Sequence, residues 1–288
     1  MKARLFQTGC YLSVGLLLVA MGYLIGLITY KGVPTLGAPL FFGDTPAWQA
    51  LLGRQPVWDG IWPACVGTLM VVMLALALAF LPGVATGIWL SEYHHSRLAR
   101  VLGLAVDVLA GIPSILMGLF GFSLILFFRQ YISPAANACL LLSASCLAML
   151  ILPYLAGTTR TALQAVPFSL RLTAQALGMS PWQSLRHILL PKAVKGIGRG
   201  VMLSVGRAAE DTAVIMLTGV VANAGLPSGL FERYEALPFA IFYYSAQYQT
   251  PDELAMAFGA ALTLMFFTAA SFSIAGIITN NKRFNLGS

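Results

Sequence analysis

An all-α integral membrane protein with six transmembrane helices is the fold class that this sequence predicts, on three observations. Hydrophobic residues make up 58% of the 288 and charged residues only 9%, with a mean hydropathy of +0.81. A soluble domain carries about 25% charged residues, so this chain lacks the polar surface needed to stay in water. Six apolar stretches are each long enough to cross a bilayer, since about 20 residues at 1.5 Å rise span a ~30 Å hydrocarbon core. The basic residues between those stretches fall overwhelmingly on one side.

The six spans read Tyr11–Tyr30, Trp62–Leu90, Gly103–Phe128, Ala136–Gly157, Gly200–Val221 and Leu254–Thr279. Lipid offers no partners for backbone polar groups, which leaves the helix as the form for such continuous runs. Lys2 and Arg4 precede the first run as they would in a signal peptide. No small-x-small cleavage site follows it, so an uncleaved first helix is expected. With the amino terminus inside, Lys2, Arg4, Arg97, Arg100, Arg160, Arg171, Arg186, Lys192, Lys195, Arg199, Lys282 and Arg283 face the cytoplasm. That is twelve of the 17 Lys and Arg, against Lys31, Arg54, Arg129 and Arg233 outside and Arg207 within a span. Both termini are therefore expected in the cytoplasm. The formal charge of +7 belongs to a bilayer surface on this distribution, and no nucleic-acid partner is expected. Cys10, Cys65, Cys139 and Cys146 lack metal-ligand spacing and read as small packing hydrophobes.

Residues 1–61 read as an N-terminal helix with an outer loop. Residues 62–281 read as a core of five further helices, and 282–288 as a cytoplasmic tail. Spans two and three are joined by Ser91–Leu102, where His94 and His95 read as solvated loop residues. The outer segment Lys31–Ile61 is expected to pack over the outer mouth. Ala222–Glu253 carries Phe231, Tyr234, Phe239, Phe242, Tyr243, Tyr244 and Tyr248, an aromatic density that predicts interfacial helix.

Thr158–Arg199, between spans four and five, holds six basic and no acidic residues. Its pattern predicts two short helices separated by Gly178, a residue suited to a left-handed helix terminus. Pro167 and Phe168 open the first. Ser180, Pro181 and Gln183 open the second as a capping box, and Pro191 is expected to stop it before the next span. A folded loop of this length is usually there to touch something.

Leu172-Thr173-Ala174-Gln175-Ala176-Leu177-Gly178, with Ile188, Leu190 and Pro191 downstream, resembles the EAA loop of ABC-importer permeases. The family pattern is Glu-Ala-Ala-x-x-x-Gly, nine residues, then Ile-x-Leu-Pro, and the second half of that spacing matches fully. The family's Glu falls on Leu172 and its first Ala on Thr173, a departure that removes the acidic contact. The resemblance implies a type I importer permease whose coupling helix, between spans four and five, docks on a cytoplasmic ATPase. Leu172, Thr173, Ala174, Gly178, Ile188 and Pro191 are the residues it places there.

Four further stretches resemble the phosphate-type branch, the PstA and PstC permeases. They are Gly60-Ile61-Trp62-Pro63 with Gly67-Thr68, Leu90-Ser91-Glu92-Tyr93, and Leu109-Ala110-Gly111-Ile112-Pro113-Ser114-Ile115 with Gly118 and Gly121. The fourth, Gly206-Arg207-Ala208-Ala209-Glu210-Asp211-Thr212, is similar to the family's Gly-Arg-Ala-x-Gly-Glu-Thr, with Glu210 replacing a Gly. A charge at membrane depth costs roughly 2.5–3.5 kcal/mol on insertion scales, so Arg207, Glu210 and Asp211 should face a cavity or a partner helix. Both acids lie within reach of Arg207 on one helix face. Two readings stay open: an ion pair locking span five to a neighbour, or a translocation pathway in which guanidinium meets phosphate oxygens. Asp107 reads as a boundary residue.

No Gly-x-x-x-x-Gly-Lys-Ser/Thr loop is present, and no catalytic set is recognisable. The expected function is that of a transport subunit and not an enzyme, with no cofactor or metal of its own; ATP and magnesium would sit on the partner ATPase. The resemblance implies a bacterial plasma (inner) membrane location. It also implies ABC ATPase subunits, a second permease and an extracytoplasmic binding protein as partners, with phosphate as cargo. Another oxyanion (molybdate or sulfate), a stand-alone secondary transporter and a non-transporting scaffold are the alternatives.

Overall fold

Apolar runs become long helices here, and prolines or charges decide where those helices break. The computed structural model describes residues 2–280; the predicted tail at 282–288, with Lys282 and Arg283, lies outside them. In order come α1 (Lys2–Gly32), a 3-10 turn, α2 (Ala38–Phe42), α3 (Ala47–Leu51), α4 (Trp62–Glu92), α5 (Arg97–Gly111) and α6 (Ser114–Tyr131). Then follow α7 (Leu140–Gln164), α8 (Phe168–Ala176), α9 (Pro181–Ser184), a π-helical turn (Leu185–Leu189), α10 (Leu190–Glu210), α11 (Thr212–Thr218), α12 (Leu237–Gln247) and α13 (Pro251–Asn280). Among these α1, α4, α6, α7 and α13 are long and apolar enough to cross a membrane. α10 and α11, which hold the predicted fifth span, are not among those five.

Two predicted spans are corrected. The third is not one helix over Gly103–Phe128, because the chain turns extended at Ile112 and Pro113 and restarts at Ser114. Proline has no N–H for the ladder and pushes the residue before it out of helical geometry. The fifth begins ten residues early, at Leu190, and breaks at Asp211. Pro191 does not stop the hairpin's second helix. It sits in the first turn of α10, where its missing N–H costs nothing, and the π turn carries the chain from α9 straight into α10.

Buried Val71, Val72, Ala75 and Ala79 of α4 pack against Leu147, Ile151 and Leu155 of α7, with Val205, Ala208 and Ala209 of α10 and Val214 and Ile215 of α11 closing the same core. A second cluster joins α2, α12 and α13 through Leu40, Leu237 and Ala260. A third, of Leu163, Val166, Leu185, Leu189, Ala193 and Ile197, fixes the hairpin to the ends of α7 and α10. The segment after Gly219 serves the start of α7: Leu140 and Leu141 donate their N–H groups to the carbonyls of Glu232 and Leu230. Those donors would otherwise be orphans of the helix terminus.

α6 runs beside α11 at backbone distance. A β-carbon on Gly118 would come within 2.8 Å of the Ala213 carbonyl oxygen, and one on Gly121 would meet Thr218. Gly118→Val should therefore separate the two helices and lower stability by about 1–3 kcal/mol, read as a fall in melting temperature of the detergent-purified protein. A melting temperature equal to the parent's would mean that α6 and α11 are not held in this register.

Candidate translocation and coupling site

The break between α10 and α11 is built by two charges placed where helix ends want them. Arg207 lies in the last turn of α10, whose carbonyl end carries partial negative charge; Asp211 caps the first turn of α11, whose N–H end is partially positive. One Asp211 oxygen accepts the Val214 N–H at 2.9 Å, and the other lies 3.4 Å from an Arg207 guanidinium nitrogen. Asp211 is 3% exposed, whereas the Arg207 side chain keeps 38% of its surface. The carboxylate is thus fixed while the guanidinium retains an open side. Glu210 is exposed and pairs with nothing among the described residues. The predicted sharing of Arg207 between two acids is corrected to one. Glu210 is the last residue of α10, whereas Asp211 leaves that helix and caps α11.

α10 carries more than the motif. Lys192, Lys195, Arg199, Leu203, Arg207 and Glu210 all keep exposed or partly exposed positions along one stripe, opposite the buried Ala193, Ile197, Gly200, Ser204 and Ala208. Spacing of three and four residues produces such a stripe. That amphipathic pattern could be read in the sequence, although hydropathy alone hides it.

At the other end of the molecule, Pro167 precedes α8 and Gly178 ends the hairpin's first helix in a left-handed conformation, φ +72°. Met179 donates its N–H to the Ala174 carbonyl, closing that terminus. Ser180 and Gln183 form the predicted capping box. Ala174 is fully buried and Ile188 partly so; Leu172 and Thr173 face outward, and Pro191 is exposed at the start of α10. Phe168, Leu172, Leu177 and Trp182 are 50–69% exposed, an apolar face on a segment outside the spans.

The hairpin is tied to the bundle by an ion pair that motif matching missed. Arg171 forks onto Glu92 at the end of α4, with contacts of 2.7 and 3.0 Å, and also donates to the Leu163 carbonyl at 3.1 Å. Planar guanidinium suits this two-toothed geometry. The signal available in the sequence was an acid ending one span and a base in the loop of another, which specifies no pairing. The two histidines stay exposed, as predicted, with their rings 3.9 Å apart. Asp107 is exposed on α5. Cys10 is exposed on α1, while Cys139 and Cys146 are buried.

On the opposite end, Glu235 accepts the Gly225 N–H at 2.9 Å. Burial pushes its carboxyl up to about 7, and the same burial with nearby Glu235 and Asp59 pushes the Tyr244 phenol up to about 12.

A bundle of long apolar helices, broken once around a buried charge and carrying a folded extramembrane hairpin, defines a membrane-spanning transport subunit. The chain belongs to the family of binding-protein-dependent transport system inner membrane components, whose model matches residues 83–283. The phosphate transport system permease protein PstA of Haemophilus influenzae is 33% identical over 258 residues, 89% of this chain and 86% of that one. PstA of Pasteurella multocida is 29% identical across 92% of this chain and 90% of its own. Among solved structures, a chain of the MetNI methionine ABC transporter in an inward-facing conformation superposes with a TM-score of 0.59 at 18% identity, covering 82% of this chain and 98% of that one. An amino acid ABC transporter gives 0.52 at 17% identity, over 74% and 89%. These last two establish the shared fold.

Two outcomes follow. In a double-mutant cycle of Glu92→Gln and Arg171→Gln, coupling of about 1–2 kcal/mol is expected for a partly buried, charge-assisted pair; additive melting shifts would show that the fork carries no energy. Because the Glu235 carboxyl is raised from 4.5 to about 7, its stabilising share is complete below 4.5 and lost as pH rises through 7. Glu235→Gln should flatten the fall in melting temperature across that window, and an unchanged slope would contradict the assignment.

Proposed function

We propose that this chain is one of two permease subunits of an ATP-driven importer of inorganic phosphate. The observation that carries this reading is Arg207, a guanidinium with one side held by Asp211 and the other open, at the break of a span. A tetrahedral oxyanion offers that open side the oxygen geometry guanidinium prefers. The Asp211 carboxylate keeps the arginine oriented and weakens its grip on an arriving anion, as a conduit must bind loosely enough to release. The PstA relatives are named for phosphate transport, which selects phosphate ahead of sulfate or molybdate.

ATP and magnesium belong to a separate ATPase subunit on this reading. That subunit docks on the hairpin through the apolar face of Phe168, Leu172, Leu177 and Trp182, with Thr173 beside them. Leu172 supplies apolar contact where relatives use an acid. Ala174 and Ile188 pack within the hairpin and give it its shape, while Gly178 and Pro191 are exposed at its turn and at the start of α10 beside that docking face. Closure of the ATPases pulls α8, and the Arg171–Glu92 fork passes the pull to α4, while the α9–α10 continuity passes it to α10. Hairpin and both termini are cytoplasmic, in a bacterial inner membrane, and an external binding protein delivers the anion to the opposite face.

The test is uptake of labelled phosphate, sulfate and molybdate by the complex reconstituted with ATPase, partner permease and binding protein. Arg207→Ala and Asp211→Ala should each lower phosphate uptake more than about tenfold, the loss of roughly 1.4 kcal/mol, with assembly intact by size-exclusion chromatography. Unchanged uptake would leave the pair a helix lock. A signal for molybdate or sulfate alone would replace the cargo.

A further inference from the structure

The stripe on α10 does not end at Arg207. Eight residues earlier, about 12 Å along the helix at 1.5 Å per residue, Arg199 lies on the rim of the cavity between α7 and α10. That cavity measures about 560 Å³ and is lined by Tyr154, Thr158 and Thr161 of α7 and by Gly196, Gly200 and Leu203 of α10. Arg199 is exposed, and among the described residues it forms neither an ion pair nor a hydrogen bond. The α7 hydroxyls divide into two kinds. Thr158 and Thr161 donate to backbone carbonyls of their own helix, at 2.7 Å to Tyr154 and 2.9 Å to Gly157, so their protons are committed. The Tyr154 hydroxyl has no such partner among the described residues and is free to donate. The cavity therefore has one uncompensated cation and one available hydroxyl donor. It is an open groove with a largely apolar lining and no acid, and it has room for an oxyanion with its waters at about 30 Å³ per water.

From this geometry we infer that Arg199, with the Tyr154 hydroxyl, forms a second binding position for the phosphate-type oxyanion, on the hairpin side of Arg207. It rests on the reading of Arg207 as a pathway residue and extends it to a sequence of two positions. The two differ in a way that gives a direction. Arg207 is partly neutralised by Asp211; Arg199 is exposed and has no counter-ion among the described residues. An anion leaving Arg207 thus finds an unopposed positive charge about 12 Å further along the same face, beyond the roughly 8 Å over which salt at physiological strength screens exposed charges. Each step is separate, and hydration at Arg199 keeps the second contact weak. Lys195 and Lys192 continue the stripe by one and two turns toward the hairpin.

The phosphate group of a phospholipid has the same chemistry, so the experiment separates the two sources. The assembled complex is reconstituted in liposomes of phosphatidylcholine alone and of phosphatidylcholine with phosphatidylglycerol, carrying wild type, Arg199→Gln or Arg199→Lys. Equilibrium binding of labelled inorganic phosphate is measured on the nucleotide-free complex, beside ATP-driven uptake and ATP hydrolysis. Arg199→Gln is expected to weaken phosphate binding and slow uptake by about fivefold to tenfold, the scale of one charge-assisted contact, in both lipid mixtures, while ATP hydrolysis continues. Arg199→Lys should restore most of each. Phosphate binding and uptake within roughly twofold of wild type would overturn the proposal, as would an effect confined to phosphatidylglycerol liposomes, which would assign Arg199 to a headgroup. Running uptake with sulfate and molybdate keeps the failures apart. If wild type carries only another oxyanion and Arg199→Gln slows that one, the position stands and the phosphate reading falls; if wild-type phosphate uptake is robust and Arg199→Gln leaves it intact, the position falls and the phosphate reading stands.

Discussion

A carboxylate that cannot be left alone in a membrane organises this molecule. Asp211 is 3% exposed, and burying an unpaired charge is costly enough that proteins neutralise or pair it. Here each oxygen has a partner, the Val214 N–H for one and Arg207 for the other. Satisfying the first requires that Asp211 leave the helix and cap a new one, so the charge and the break are one event. Everything else adjusts to it. α11 starts at an angle set by the cap, α6 lies against α11 at a distance only glycine permits, and the buried Ser143–Thr218 hydrogen bond of 2.8 Å ties α11 back to α7.

The second organising device is the unbroken path from hairpin to break. α9, the π turn and α10 form one continuous helical run from Pro181 to Glu210. A π turn inserts an extra residue into the helical ladder and shifts the face that follows. Downstream of it, the apolar side of α10 meets α7 while the cationic side stays open. One helical run thus carries the hairpin at one end and the ion pair at the other, whereas a hinge at Pro191 would have separated the two. The Arg171–Glu92 fork gives the hairpin a second attachment, on α4, so that tilting it loads two elements of the core at once.

Much of this was legible in the residues. Hydropathy located α1, α4, α7 and α13, because for a long apolar run lipid leaves the backbone a single solution. Local chemistry located the hairpin: the Ser180–Gln183 box and the Gly178 terminus depend on neighbours a few residues away and on nothing distant. The errors share a cause. Gly103–Phe128 and Gly200–Val221 were read as single spans because hydropathy averages over the residues that break them, Pro113 in one and Asp211 in the other. Pro191 was read as a stop because proline ends helices from inside but starts them from the first turn, and only the preceding π turn decides which applies. Glu210 was grouped with Arg207 because spacing of three puts them on one helix face, and spacing does not say that the guanidinium turns to the capping Asp211 instead.

The Glu92–Arg171 fork and the position of Arg199 were illegible for a different reason. Each depends on which elements meet in space, and sequence distance conceals that: 79 residues separate the two partners of the fork. Periodicity does place Arg199 and Arg207 on one face of α10, yet it cannot say that Gly196 and Gly200 bring α7 close enough for Arg199 to border a groove with Tyr154. An amphipathic helix in a bilayer has few options for its polar side, since lipid rejects it and water must be admitted somewhere. The polar stripe of α10, basic at five-residue intervals or less from Lys192 to Arg199 and again at Arg207, must therefore face something other than lipid tails.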